Sequence, residues 1–186
     1  MLRALVLWTA LVFLPTSVFA QGPFSLTSPD VAAGATMKME QVFNGFGCTG
    51  QNVSPALAWT GAPANTKSFA LILHDPDAPT GVGGFTHWIV YNIPATARGL
   101  DKGAGAAGAA GKLPAGAAQS PTSFGMPGYG GPCPPAGDRP HRYVFTLYAL
   151  SAEKVDLPPN ATQALAGFTI NAGKIATASF TAMFGR

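Results

Sequence analysis

The sequence predicts a mainly β fold: an antiparallel β domain with one peripheral helix. Runs of alternating, β-branched or aromatic residues recur between clusters of Gly, Pro and Asn, which is the pattern of short strands joined by turns. A single segment of helical periodicity follows most of these runs, whereas a βαβ fold would alternate helices with strands. The 186 residues suffice for one domain with a sizeable core.

Five strands and one helix are expected from these patterns. The strands are predicted in the runs MKMEQVF (37–43), SFALILH (68–74), HWIVYNIP (87–94), HRYVFTLYAL (141–150) and ASFTAMF (178–184). The helix is predicted within residues 160–178, with Asn160 and Gln163 as its N-terminal cap. Its apolar residues recur at helical spacing and are Leu165, Phe168, Ala172 and Ile175.

Two segments between the strands are rich in small residues. Residues 103–118 are almost wholly Gly, Ala and Pro, so we expect a flexible surface loop within a single domain over residues 21–186. Residues 124–140, FGMPGYGGPCPPAGDRP, combine glycines and prolines in an irregular segment. Because Gly lets backbone N–H groups approach a ligand closely, this segment suits a ligand cradle.

Residues 1–20 have the features of a secretory signal peptide. Arg3 precedes an apolar run over residues 4–14, and small residues lead to an expected cleavage after Ala20. The run is shorter than the roughly 20 residues that cross a bilayer as a helix. We therefore expect a secreted or periplasmic protein that begins near Gln21, with an uncleaved anchor as the alternative. No later stretch is long and apolar enough for a membrane span.

The net charge and the cysteine content of the chain exclude one class of partner and indicate the compartment. The eleven Lys and Arg residues exceed the eight Asp and Glu residues by only three, which is too weak and too scattered for a nucleic-acid partner. The two cysteines are Cys48 and Cys133, and in an exported chain they favour one disulfide. Two free buried thiols stay open as the alternative, because the sequence does not give the distance between them.

Three polar residues terminate apolar rows of the predicted strands. Taking every second residue, Asp75 ends the row of Phe69, Leu71 and Leu73, His87 begins the row of Ile89, Tyr91 and Ile93, and His141 begins the row of Tyr143, Phe145 and Leu147. The end of one antiparallel strand and the beginning of the next lie at the same edge. We therefore expect Asp75, His87, His141 and the Tyr143 hydroxyl around one cavity mouth. His74, on the opposite face of its strand, is interpreted as structural.

Three ordered motifs resemble the phosphatidylethanolamine-binding protein family, in particular its bacterial Raf-kinase-inhibitor-like branch. They are DPDAP (75–79), HWIVYNIP (87–94) and GYGGPCPPAGDRPHRYVFTLYAL (128–150). The resemblance implies an antiparallel β-sandwich with a C-terminal helix, long irregular loops and a small pocket for phosphate-like anions. By matching position, that pocket would consist of Asp75, Asp77, His87, Gly131, Pro132, His141 and Tyr143. One departure is that Thr122 and Ser123 stand where this branch commonly has an Asn-Asp pair.

The chemistry of these residues favours a non-enzymatic binder of a small anion, with no cofactor. Backbone amides, a Tyr hydroxyl and protonated imidazoles would donate to phosphate oxygens. Asp75 would act as a counter-charge that orients and protonates His87 or His141, which predicts tighter anion binding at mildly acidic pH. Asp77 is expected to brace the turn internally.

Other functions stay open from the same residues. Asp75, His87 and His141 have the residue types of a two-His, one-carboxylate site in a metal-dependent hydrolase. Asp75 and Asp77 are too close along the chain to flank a sugar as glycosidase carboxylates, and no Ser or Cys lies in a nucleophile elbow. The family resemblance also implies an interaction module that inhibits a protease or kinase by recognising an acidic or phosphorylated group on a protein partner.

Overall fold

The computed structural model describes residues 22–108 and 112–186, so the predicted signal peptide over residues 1–20 lies outside the described residues. Ten strands and one helix occur in the described ranges. They are β1 (Ser25–Thr27), β2 (Asn44–Gly45), β3 (Cys48–Thr49), β4 (Leu57–Thr60), β5 (Ser68–Asp75), β6 (Phe85–Pro94), β7 (Gly99–Leu100), β8 (Ala118–Gln119), β9 (His141–Leu150), α1 (Gln163–Gly173) and β10 (Lys174–Phe184). No helix in these ranges has the length and hydropathy to cross a membrane.

The strands form an antiparallel β-sandwich, as predicted. Five strands make the larger sheet, in the order β10-β9-β5-β6-β8, and three make the smaller sheet, in the order β1-β4-β7. The strands β2 and β3 form a separate hairpin. Leu26 of β1 and Trp59 of β4 share one buried cluster with Phe69 and Phe145 of the larger sheet. The main core therefore lies between the two sheets.

The central strand β5 is buried on both faces, which explains its unbroken apolar sequence. Phe69, Leu71 and Leu73 pack into the core between the sheets. Ala70 faces the other way, into a smaller cluster with Ile170 of the helix. Burial of each large apolar side chain contributes about 1.5–3 kcal/mol, so this strand anchors both layers. Its C-terminal end, at Asp75, is thereby held in a defined position.

One of the five predicted strands is absent from the described part of the chain. Residues 37–43 form no strand, because the Gln41 side chain accepts from the Lys38 amide at 3.2 Å and the Gln41 amide donates to the Lys38 carbonyl at 2.9 Å. These bonds close a turn instead of joining a ladder. The other four predicted strands are confirmed.

The helix α1 is shorter than predicted and is followed by β10, so the C-terminal helix is not the last element of the chain. Thr162, not Asn160, is its N-cap, and its hydroxyl accepts from the Leu165 amide at 3.2 Å. Ala166 and Ile170 form its buried face, whereas Phe168 is 73% exposed. Ile175 lies in β10, which pairs with β9. The hydrogen bonds between β9 and β10 therefore outweigh the helical spacing of the apolar residues at this point of the chain.

The Gly/Ala-rich segment is anchored to the core at its first turn. Ala104 is fully buried, and the Gly105 amide donates to the Ser54 hydroxyl at 2.9 Å. A side chain on Gly105 would collide with Tyr129 and Trp88, so the backbone passes close to the Cβ atom of Tyr129 and the indole ring of Trp88. The flexibility of residues 103–118 as a loop stays a prediction.

Candidate functional site

The end of β5 and the beginnings of β6 and β9 lie at one edge of the larger sheet. Both β6 and β9 pair antiparallel with β5, so they run in the same direction on either side of it. This edge encloses a cavity of about 200 Å³. The predicted site residues that line it are Asp75, His87, Gly131, His141 and Tyr143. Pro132 and Asp77 do not line it.

Most of the remaining cavity lining is apolar. It comes from Phe46, Phe85, Phe124, Pro79, Pro134 and Pro135, together with Cys133 and two residues of the β5–β6 turn, Ala78 and Thr80. The volume equals that of about seven liquid waters at roughly 30 Å³ each, and it is below the roughly 300–1,000 Å³ of pockets for drug-sized ligands. The cavity therefore suits a small ligand with a polar end.

His87 reaches the cavity through a β-bulge in β6. Leu73 is paired with Trp88, but the next residue, His74, is paired with Thr86, so His87 is an extra residue without a partner. The predicted row is therefore wrong, because Ile89 packs on the helix side of the sheet. Bulges re-aim side chains in this way next to functional sites.

The Asp75 carboxylate makes hydrogen bonds to two different parts of the site. One carboxylate oxygen lies 2.7 Å from Nδ1 of His141, and both side chains are buried. The other oxygen accepts from the amides of Asp77 at 2.8 Å and Ala78 at 3.1 Å. Asp75 thus orients His141, one of the two predicted choices, and also closes the turn that had been predicted for Asp77.

Asp77 instead connects the turn to β9. Its carboxylate accepts two bonds from the Arg142 guanidinium and one from the Arg142 amide, each at 2.9 Å. Arg139 adds a longer contact at 3.3 Å. The bonds from Arg142 hold the pKa of Asp77 well below its usual range. The expectation of an internal brace for Asp77 is wrong, since its partners lie more than sixty residues along the chain.

His87 is neutral at pH 7, whereas the sequence analysis expected the Asp75 charge to favour its protonated form. Burial lowers its pKa from 6.5 to about 4, and the nearby Gly130 carbonyl and Asp75 only partly oppose this effect. Nδ1 lies 2.7 Å from the Gly130 carbonyl, and because a carbonyl only accepts, Nδ1 carries the proton. The neutral ring therefore has its lone pair on Nε2.

The Tyr143 hydroxyl is a buried donor without a partner. Tyr143 is fully buried and lines the cavity, and its oxygen has no hydrogen-bond partner in the described part of the chain. Burial first, and then the charge of Asp75 and the nearness of its carboxylate to the hydroxyl, raise the pKa of Tyr143 well above the usual 10, so the hydroxyl keeps its proton. Its ring stands edge-on to His87, with centroids 5.2 Å apart.

The glycine-rich segment does not supply the predicted amide cradle at its central glycines. The Gly130 amide donates to the His87 carbonyl at 2.9 Å, and the Gly131 amide donates to Oδ1 of Asn52 at 2.7 Å. A side chain on Gly131 would collide with the Gln41 carbonyl. These glycines therefore serve close backbone packing.

The sequence analysis did not identify Asn52 or the three phenylalanines of the cavity wall, which are Phe46, Phe85 and Phe124. Asn52 has a positive φ of 54°, and its side chain bonds both Gly131 and the Tyr129 carbonyl, which fixes the glycine-rich segment. Phe46 and Phe124 each lie beside a glycine in the motifs NGFG and SFG. An aromatic residue inside a Gly-rich turn is the signal that could have found them.

The predicted disulfide between Cys48 and Cys133 is confirmed, with Cα atoms 6.0 Å apart. It links the β2–β3 hairpin to the glycine-rich segment at the cavity wall. His74 is structural in the sense predicted, since its ring nitrogens contact Thr86 Oγ1 at 3.3 Å and the Gly83 carbonyl at 3.0 Å. Those contacts brace the loop between β5 and β6.

The residues of the metal-dependent alternative do not converge on one point. Asp75 has both oxygens committed to His141 and to turn amides, and His87 directs Nδ1 at a backbone carbonyl. Across residues 22–108 and 112–186, no three His, Cys, Asp or Glu side chains are placed to hold a metal ion together.

Comparison with known proteins identifies the family. The model of the family described as phosphatidylethanolamine-binding protein matches residues 27–185. The chain belongs to this family. Escherichia coli K12 protein YbcL, of the group named UPF0098, is 46% identical over 183 residues, which cover 98% of each chain. LppC of Mycobacterium tuberculosis, named as a lipoprotein, is 42% identical over 143 residues, which cover 77% of this chain and 63% of LppC.

Solved structures agree with this membership. The crystal structure of E. coli YbcL, described as a new member of the mammalian PEBP family, superposes with a TM-score of 0.85 at 47% identity and covers 89% of this chain and 99% of that chain. The PEBP homologue CT736 of Chlamydia trachomatis gives a TM-score of 0.73 at 30% identity and covers 88% and 98%. The sandwich described above is thus the fold of phosphatidylethanolamine-binding proteins.

Proposed function

We propose that this protein is an exported, non-enzymatic binding protein for a small anion, either phosphate or a phosphoryl headgroup, in the cavity at the end of β5. The observation that carries the proposal is the Tyr143 hydroxyl. A buried donor without a partner costs about 1–3 kcal/mol, and an anionic oxygen in the cavity would accept from it. The cavity volume of about 200 Å³ accommodates a phosphoryl group and a short substituent.

His87 supports the same ligand class through its protonation. An anion next to the ring favours the imidazolium, so binding would raise the pKa of His87 from about 4. The affinity would then be constant at high pH, rise as the pH falls through the raised pKa of the complex, and level off below about 4. Nε2, the lone-pair nitrogen of the neutral ring, would become a second donor to the ligand.

Two observations support export. The Cys48–Cys133 disulfide is typical of proteins that fold in an oxidising compartment. The relative LppC is named as a lipoprotein, a class of exported proteins. Together with the leader-like residues 1–20, they favour a periplasmic or secreted protein.

Titration calorimetry with phosphate and O-phosphorylethanolamine tests the binding function. We expect Tyr143→Phe to weaken binding about 10-fold, the loss of one hydrogen bond to a charged group, without loss of stability. Tyr148→Phe is the matched control, because Tyr148 packs on the helix side of the sheet. Equal affinity of the wild type and Tyr143→Phe would contradict the proposal, as would no binding by the wild type.

Methanesulfonate separates the protonation of His87 from that of the ligand, since this anion does not titrate in the range used. We expect tighter binding at pH 5.5 than at pH 8 in the wild type, and no such difference in His87→Gln. The same affinity at both pH values in the wild type would remove His87 from the site.

A further inference from the structure

A second cavity lies beside the first, on the other side of an aromatic wall. Its volume is about 250 Å³, more than the 150 Å³ at which an apolar cavity binds benzene. The side chains that give it its character are Phe43, Phe46, Phe124, Met126, Pro127 and Tyr129. No charged residue of the described chain lines it. It therefore suits one uncharged ring or branched apolar group.

The two cavities share a wall. Phe46 and Phe124 line both of them, and their rings are stacked, with centroids 5.9 Å apart and planes at 9°. Because the same two rings line both cavities, a ligand with its polar end beside Tyr143 would contact them with a substituent that extends into the second cavity. The two cavities are thus neighbours, and the first differs from the second because Asp75, His87 and His141 line only the first.

Phe46 adopts a conformation that folding alone does not favour. It lies at the tip of the β2–β3 hairpin with φ of 51°, followed by Gly47 at 82°. Such two-residue turns prefer Asn-Gly or Asp-Gly, and a bulky residue at positive φ is strained. Phe46 is also 69% exposed. Strain and exposure together in one aromatic residue point to a ligand contact.

The hairpin that carries Phe46 is held at both sides of its tip. The disulfide fixes Cys48 to Cys133. The Arg186 guanidinium donates to the carbonyls of Phe46 at 3.3 Å and Gly47 at 3.2 Å, and also to the Pro134 carbonyl at 2.7 Å. The aromatic wall is therefore part of a preorganised site.

We propose that the second cavity binds an uncharged aromatic or branched apolar substituent carried by the phosphoryl ligand of the first cavity. The position of the phosphoryl group rests on the proposed function. The substituent is a single small group, because the second cavity holds about one ring and has no charged lining. The ligand class is thus an organic phosphomonoester with an apolar group a few bonds from phosphorus.

Three probes test this inference by calorimetry: inorganic phosphate, 2-phenylethyl phosphate and 2-phenylethanol. We expect 2-phenylethyl phosphate to bind about 10-fold or more tightly than phosphate, because its ring is removed from water. Ala107→Trp, which fills only the second cavity from an exposed position, should abolish this gain and leave phosphate affinity unchanged. Val82→Ala is the control, since Val82 is 85% exposed and lines neither cavity.

The outcomes separate the two proposals. Equal affinity for phosphate and 2-phenylethyl phosphate would overturn the proposal that the second cavity binds a substituent of the ligand, and would leave the proposed function in place. Binding of 2-phenylethanol without any binding of phosphate would overturn the proposed function, and with it the phosphomonoester as the ligand, and would leave only an apolar site in the second cavity. A gain that persists in both Ala107→Trp and Met126→Ala would place the ring elsewhere, whereas shifts of the Met126 methyl NMR signal on addition of 2-phenylethyl phosphate would support the assignment.

Discussion

The two histidines of the cavity lie on opposite sides of β5 and have different partners. His87, from β6, directs Nδ1 at the Gly130 carbonyl, and His141, from β9, directs Nδ1 at the Asp75 carboxylate, with both distances 2.7 Å. Both residues are almost completely buried. Two equally buried histidines are thus held by a neutral carbonyl dipole on the β6 side of β5 and by a carboxylate on the β9 side.

This difference divides the cavity into two electrostatic halves. On the β6 side, burial dominates and lowers the pKa of His87 to about 4. On the β9 side, carboxylates face both ring nitrogens of His141, since Asp138 lies 3.4 Å from Nε2. Burial alone therefore does not describe a buried imidazole, because the partner of Nδ1 distinguishes His87 from His141.

The largest expected effect comes from removing the carboxylate on the β9 side. Asp75→Ala should lower the free energy of unfolding by about 3 kcal/mol or more, because His141 and the turn amides of Asp77 and Ala78 lose their acceptor, at about 1–3 kcal/mol for each buried group left without a partner. Asp75→Asn should cost less, since it keeps an acceptor for the turn. Urea denaturation at pH 7 measures both.

The exposed Asp156 offers a control for Asp75→Ala. We expect Asp156→Ala to leave the free energy of unfolding nearly unchanged. If Asp75→Ala were no more destabilising than this control, the buried pair would not support the β9 side as described.

The next effect concerns the β6 side and depends on pH. Because the pKa of His87 is lowered on folding from 6.5 to about 4, the unfolded state binds the extra proton between these values. His87 then contributes stability that is fully present above about pH 6.5, falls as the pH falls, and is lost near pH 4, in total about 3 kcal/mol at 1.36 kcal/mol per pKa unit.

Unfolding curves of the wild type and His87→Gln from pH 7.5 to pH 4 measure this contribution as their difference. We expect the difference to shrink as the pH falls, and His74→Gln to serve as a control outside the cavity lining. A difference that is constant across this range would mean that His87 is not buried as a neutral ring.

The smallest effect is expected at Asp77, whose carboxylate connects the β5–β6 turn to Arg142 of β9. Asp77→Asn removes the charge with which Arg142 pairs. The Asp77 side chain is only 5% exposed, but solvent around the 55% exposed Arg142 weakens the pair, and the amide oxygen of Asn keeps an acceptor for Arg142. We expect Tm to fall by a few degrees at most, and phosphate affinity to stay unchanged because Asp77 lies outside the cavity lining. A loss of stability equal to that of Asp75→Asn would mean that the two acids act as one unit.

Much of the fold follows from local pattern. Strand alternation alone placed Asp75, His141 and Tyr143 at one edge, because side chains of a strand alternate between faces wherever the ladder is regular. The same rule failed at His87, where one inserted residue shifts the row, and no residue type near it marks the bulge. The predicted C-terminal end of the helix is wrong for a related reason, because pairing with β9 places the residues from Lys174 onward in β10.

Residue patterns and motifs were enough to predict the antiparallel sandwich, the family and most of the polar residues near the cavity. They also favoured the disulfide between Cys48 and Cys133. The folded structure was needed to show that Asp75 binds His141 and that Asp77 binds Arg142. It was also needed to show that His87 is neutral and that the Gly130 and Gly131 amides already donate to other groups of the protein. The physical reason is one of range. Alternation and turn chemistry act between neighbours along the chain, whereas desolvation and hydrogen-bond partners depend on residues that are distant in sequence and meet only in the folded protein.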